Sequence, residues 1–192
     1  MDFPEKSQST TDRLYTWDEV RAMLDKESMR RAEYIARILL ELQRHVGEKV
    51  MKIAAKEIYQ IGYEKGRMRA GLMAEEGKKN DLDNLANLIS HPSAQLYLGN
   101  RVEVSRDELV VKEDYCPLPR RWKDLGYKDE QIIAFCLLFD QVDKGMVEGY
   151  NPQFEAQLSG CRGLAEYGFC QMRVRRKEDS PRRHGERGGK RR

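Results

Sequence analysis

Several common signatures are absent from this 192-residue chain, and each absence removes a class of function. No run of about 18 apolar residues exists, which excludes a membrane-spanning helix of ordinary length. The opening "MDFPEKSQSTTDRLY" has no basic segment followed by an apolar one, so it does not read as a signal peptide, and the cytoplasm is the expected compartment. No G-x-S-x-G, P-loop or G-x-G-x-x-G occurs, which leaves nucleotide binding and serine-hydrolase chemistry without support. There are three histidines. His45 falls in a helical pattern, His91 precedes a proline and His184 lies in the basic end, so none pairs with a nucleophile. The four cysteines, at 116, 136, 161 and 170, form no C-x-x-C, so no zinc ribbon is signalled. In a cytoplasmic protein they are expected to be reduced thiols.

What is present is a soluble-type composition, 40% hydrophobic and 35% charged, with apolar residues recurring at regular intervals. The net charge of +3 is unevenly spread. Residues 173–192 carry ten Lys/Arg against three Asp/Glu, which leaves 25 basic and 29 acidic residues for the rest. The body is mildly acidic, and a nucleic-acid reading leans only on the tail "RRHGERGGKRR". Residues 1–15 read as a flexible N-terminus, 16–176 as a single domain and 177–192 as a disordered basic tail.

Within the domain the hydrophobic period changes along the chain. "TWDEVRAMLDKES" predicts a short first helix, with Thr16 as N-cap and Glu19 completing a capping box. A long helical tract follows from Ser28 to about Glu76, divided at Gly47. Ile35, Ile38, Leu39 and Leu42 mark one face, and Val50, Ile53, Ala54, Ile58 and Ile61 continue it. Gly62, Gly66 and Gly71 interrupt a strong helical pattern, which suggests either a close neighbour or substrate, or fraying. "GKKNDLDNLANLISHP" reads as a loop and short helix ended by Pro92. "RVEVSRDELVVKEDYCPL" then predicts a hairpin or one bent strand. "RRWKDLGYKDE" reads as a short helix and turn, residues 128–148 as a helix, "QFEAQLSG" as a strand, "CRGLAEYG" as a turn and "FCQMRVR" as a final strand. The order predicts an α+β fold: a helix-rich N-terminal half packed on a small antiparallel sheet, with one long helix inserted between strands.

The candidate chemistry centres on that inserted helix. Helical spacing puts Cys136, Asp140, Asp143 and Val147 on one side. The plain reading is a small buried hydrophobe at Cys136 with both aspartates at the solvent boundary. The alternative is a site wall, since Cys116 stands at a strand end and Cys170 in the last strand, and a sheet packed on this helix would bring them near it. The aromatics Tyr59, Tyr63, Trp122, Phe135 and Phe139 read as ordinary core, with Tyr63 singled out because it lies between Gly62 and Gly66.

The segment from about Arg101 to Val174 resembles the L-2-amino-thiazoline-4-carboxylic acid hydrolase family. The resemblance rests on "VKEDYCPL", "FCLLFDQVDKGMVEGYNP", a glycine turn and "FCQMRV", with Cys116, Cys136, Asp140, Gly149, Asn151, Pro152 and Cys170 as the matched positions. The glycine-bearing "IYQIGYEKGRM" is similar to the family as well, whereas "EYGFC" departs from its usual last turn, and Cys161 and the basic tail have no counterpart in it. The resemblance implies hydrolytic opening of a cyclic amidine to a carbamoyl-cysteine. That chemistry needs a base for water, an acid for the leaving atom and a cation for the substrate carboxylate. Cys116, Cys136, Asp140 and Cys170 are then the candidate catalytic residues, with Asp140 as base. Arg120, Asn151 and Tyr63 are the candidate substrate-binding residues, with Arg121 and Arg162 as further candidates for the carboxylate. Asp140 one turn from Cys136 opposes thiolate formation. Three arrangements stay open: an aspartate base beside a thiol, two or three thiolates and a carboxylate on zinc, or inert thiols. A non-catalytic small-ligand or metal-binding sensor, similar to 4-vinyl reductase-like domains, is the rival reading. A small-molecule substrate, no membrane and a homodimer through the long helices are the expected partners.

Overall fold

The computed structural model describes residues 15–159 and 169–177. The expectations for the two termini, the "CRGLAEYG" turn and Arg162 lie outside the described residues. The chain forms six helices and four strands there. α1 runs Trp17–Val46 and opens with the predicted capping box: Thr16 Oγ1 accepts from the Glu19 amide, and the Glu19 carboxylate accepts from the Thr16 amide. It does not break near Ser28, where the sequence suggested a division. Its only chain-reversing residue is Gly47, at φ 82°, which ends it. α2 follows as Lys49–Glu75, then α3 (Leu82–Ile89) and α4 (Pro92–Leu98). Pro92 thus starts a helix as well as following one, a position its missing N–H suits.

β1 (Arg101–Val104) and β2 (Glu108–Glu113) form a hairpin across the polar turn. α5 (Pro117–Asp124) and α6 (Asp129–Tyr150) come next, then β3 (Phe154–Leu158) and β4 (Cys170–Arg176). All neighbours are antiparallel, in the order β1-β2-β4-β3. This is the predicted α+β arrangement, with α6 inserted between strands of one sheet.

Two clusters make the core. Leu109, Val111 and Val174 on one face of the sheet pack with Leu82 and Leu85 of α3, Val147 and Tyr150 at the end of α6, and Phe154. Ala32, Ala36 and Leu39 of α1 pack with Trp122 of α5 and with Ile132, Phe135 and Leu138 at the start of α6. Trp122 is fully buried and donates its indole N–H to the Ala32 carbonyl at 3.1 Å, so its one polar atom is satisfied. The buried face of α1 is therefore the small-residue one. Ile35, Ile38 and Leu42, which the spacing offered as the core stripe, are exposed apart from their neighbour Leu39.

α6 bridges both clusters, and α2 holds it there. A Cβ on Gly62 or Gly66 would run into the α6 backbone at Val142 and Met146, and one on Gly145 or Gly149 into the α2 backbone at Tyr59 and Tyr63. Four glycines, two from each helix at spacing four, let the backbones meet. Close packing is thus the reason for Gly62 and Gly66, whereas Gly71 has nothing within 4 Å.

Candidate active site

A cavity of about 420 Å³ opens between the two clusters, alongside the middle of α6. Cys136, Asp140 and Asp143 of α6 line it together with Glu113 at the end of β2, Cys116 just before α5 and Cys170 at the start of β4. Strand pairing explains the sheet's share. Glu113 and Cys170 are register partners, so both side chains stand on the face that also carries Val111 and Met172 toward the core. The remaining wall is largely apolar, with Ile89, Leu98, Phe139 and Leu158 among its residues. α2 contributes no lining residue; its glycines seat the helix that does.

Tyr97 and Ser28 form part of the rim. Tyr97 donates to the Asp25 carboxylate at 3.2 Å, and Tyr115 donates to the same oxygen, so α1 is tied to α4 and to the segment before α5.

The three carboxyls have unusual surroundings. Asp140 is 9% exposed. Among the described residues none of Glu113, Asp140 and Asp143 accepts a hydrogen bond or joins an ion pair, although buried carboxylates are normally paired. Their proton affinities follow. Burial, and then the charge of Asp143, pushes Glu113 up to about 7. Burial raises Asp140 to about 6, with the Lys144 ammonium pulling the other way. Burial and the charge of Asp140 raise Asp143 to about 6 against the opposing Arg69. Arg69 itself donates to the Met146 sulfur at 2.9 Å.

The thiols respond to the same field. Burial pushes Cys116 up to about 12; the Leu118 amide opposes this, and Glu113, Cys170 and Asp140 add to it. Cys170 rises to about 11 through burial and the charges of Glu113 and Asp140, with a hydrogen bond to Ser159 opposing. Both remain thiols at neutral pH. Cys136 is disulfide-bonded, which corrects the expectation of four reduced thiols. Among the described residues no group of three or more His, Cys, Asp or Glu is placed to hold a metal ion. The thiolate–carboxylate zinc set is therefore not assembled by them.

The structure thus brings Cys116, Cys136, Asp140 and Cys170 to one cavity and leaves the three candidate binding residues outside its lining. The Arg120 guanidinium lies 5.9 Å from the centre of the half-buried Tyr115 ring. Arg121 pairs with Glu33 of α1. Asn151 caps α6 and donates to the Asn80 carbonyl at 2.7 Å. Tyr63 stacks on Tyr59, with ring centres 6.3 Å apart, beside the glycine seam. Glu113 is the residue that sequence reasoning missed, although it lies within "VKEDYCPL". The alternation Leu109, Val111, Glu113 along β2 was the available signal.

A family profile described as L-2-amino-thiazoline-4-carboxylic acid hydrolase matches residues 27–173. The chain belongs to this family. The match runs from Glu27, about three turns into α1, to Arg173 in β4, and so includes every cavity residue named above. No curated protein matches the chain. Among solved structures, trafficking protein particle complex subunit 3 from Naegleria fowleri, covalently bound to palmitic acid, is similar in fold. The TM-score is 0.50 at 19% identity, over 79% of this chain and 96% of that one. No helix among the described residues of this family member is long and apolar enough to cross a membrane.

Proposed function

We propose that the chain is a hydrolase that opens a cyclic amidine, with its reaction centre among Glu113, Asp140 and Asp143. The observation that carries this reading is the convergence on one largely apolar cavity of three carboxyls that no described residue pairs. Acid–base catalysis near neutral pH needs groups whose proton affinities lie near the working pH and differ from one another. Asp140, at about 6, is mostly ionised at pH 7 and takes a proton from water as the oxygen adds to the carbon between ring sulfur and ring nitrogen. Glu113, at about 7, is half protonated there and gives its proton to the leaving ring nitrogen as the carbon–nitrogen bond breaks. The product is a carbamoyl thioester of the opened chain. Asp143 adds a third charge, which raises Glu113 beyond the effect of burial.

In this reading the cysteines are not nucleophiles. Cys116 and Cys170 hold their protons at working pH and offer weak S–H donors to the cavity. Incubating the purified protein with L-2-amino-thiazoline-4-carboxylate, and following ring opening by mass spectrometry with and without zinc, tests the reaction. Turnover independent of zinc and lost in Asp140→Asn supports it. Turnover that survives both Asp140→Asn and Glu113→Gln removes the assigned roles.

A second reading is a binding module that retains an apolar ligand without turning it over. The hydrocarbon character of most of the wall favours it, and the palmitic acid named for the similar trafficking subunit is a ligand of that kind. Native mass spectrometry of freshly purified protein distinguishes the two, since retention of a stoichiometric lipid mass supports only the second. Association with a second copy through the exposed stripe Ile35, Ile38 and Leu42 is a further part of the proposal. Light scattering of Leu42→Glu against the unaltered chain checks it.

A further inference from the structure

The described lining of the cavity carries charge of one sign only. It holds Glu113, Asp140 and Asp143 and no lysine, arginine or histidine. Arg162 lies outside the described residues, and Arg120 and Arg121 face other partners. A ligand carboxylate placed here would meet three carboxyls and no described countercharge, whereas a ligand cation would meet three acceptors that no described residue uses. Asp140 decides the matter most directly. It is nine-tenths buried, lines the cavity and accepts no hydrogen bond among the described residues, so a donor from outside is what completes it. Most of the rest of the wall is hydrocarbon or aromatic, with Ser28 and Gln171 as neutral polar members, and the volume falls within the usual range for small-molecule sites.

We infer that the cavity takes an apolar cation: a ligand whose protonated amidine or amine nitrogen sits among Glu113, Asp140 and Asp143, and whose hydrocarbon or aromatic body lies along Ile89, Leu98, Phe139 and Met172. This rests on the hydrolase reading for the chemistry that follows binding, and it narrows the substrate to cyclic amidines bearing an apolar group in place of a carboxylate. Charge-assisted hydrogen bonds from an amidinium fork to a buried carboxylate are the strong kind, and they offset the desolvation that burial imposes on these carboxyls. The charged groups that shape this binding are Glu113 from β2, Asp140, Asp143 and Lys144 from α6, and Arg69 from α2, with the neutral thiols Cys116 and Cys170 beside them.

Titration calorimetry of the full chain with benzamidine and hexanamidine, against benzoate and hexanoate of matched shape, tests the inference. The amidines are expected to bind at least about tenfold more tightly than their carboxylate partners, and to weaken at least about tenfold in Asp140→Asn. Binding should also weaken as pH falls from 8 to 5 and the carboxyls take up protons. Carboxylates binding as well as amidines, amidine affinity unchanged in both Asp140→Asn and Glu113→Gln, or no binding by either set overturns it. Circular dichroism confirms that the variants are folded, and Glu113→Gln serves if Asp140→Asn is not. Ring-opening assays on the same samples separate the two readings. Turnover of the carboxylate-bearing ring without amidine preference removes the inference and leaves the hydrolase, while amidine binding without hydrolysis of any cyclic amidine does the reverse.

Discussion

α6 presents two contrasting surfaces to the protein. Toward α2 it is packed so closely that Gly145 and Gly149 leave no room for a methyl group. Toward the sheet and α5 it borders an open cavity, with an aspartate that nothing in the described protein satisfies. One surface gains stability from contact, and the other gives stability up to keep charge and space available. Substitutions on the two sides of this one helix should therefore move stability and activity in opposite senses.

The largest effect is expected on the cavity side. Asp140→Asn should lower turnover by roughly 10²- to 10⁴-fold, the usual contribution of a positioned base, while the melting temperature at pH 7.5 holds or rises. Steady-state kinetics beside calorimetric melting checks both halves. On the seam, Gly66→Leu forces a side chain into the α6 backbone and should cost about 3 kcal/mol or more, read from urea unfolding. If that variant were as stable as the parent, the close approach of the helices would be wrong.

pH offers an intermediate effect. Glu113, Asp140 and Asp143 have folded-state values above their ordinary 4.5 and 3.8, so the folded protein holds protons that the unfolded chain releases. Their contribution to stability is intact below pH 4 and declines as pH rises through about 6 to 7. Melting temperature measured from pH 5 to 8 should fall less steeply in Glu113→Gln than in the unaltered chain. Activity should rise as Asp140 ionises near pH 6 and decline as Glu113 loses its proton near 7, giving a narrow bell in kcat/KM. The smallest effect sharpens the comparison from outside it. Gly71→Ala, on α2 but with open space around it, should stabilise by up to about 1 kcal/mol, whereas Gly66→Ala should destabilise.

Much of this contrast was legible beforehand, and the exceptions have physical causes. The capping box at Thr16, the hairpin turn and the boundaries of α6 are local features, so local pattern revealed them. The inserted helix between strands also followed from the order of periods. The reach of Cys116 and Cys170 toward α6 could be inferred because strands end where sites form. The disulfide of Cys136 could not, since pairing depends on distance in space. Nor could the buried face of α1. Ala32 and Ala36 are weak apolar signals beside Ile35 and Ile38, yet a neighbour as bulky as Trp122 needs small residues opposite it. Glu113 was hidden for a related reason: an acidic residue at a strand end reads as solvent-facing unless the phase of the alternation is followed to its last position.

One consequence of α6 concerns how the molecule comes apart. Its first half belongs to the helical cluster around Trp122 and its second half to the sheet cluster around Tyr150. Neither cluster can melt without unravelling a helix that the other depends on. Amide exchange along residues 132–150 should therefore be lost in a single step, with one opening free energy from end to end.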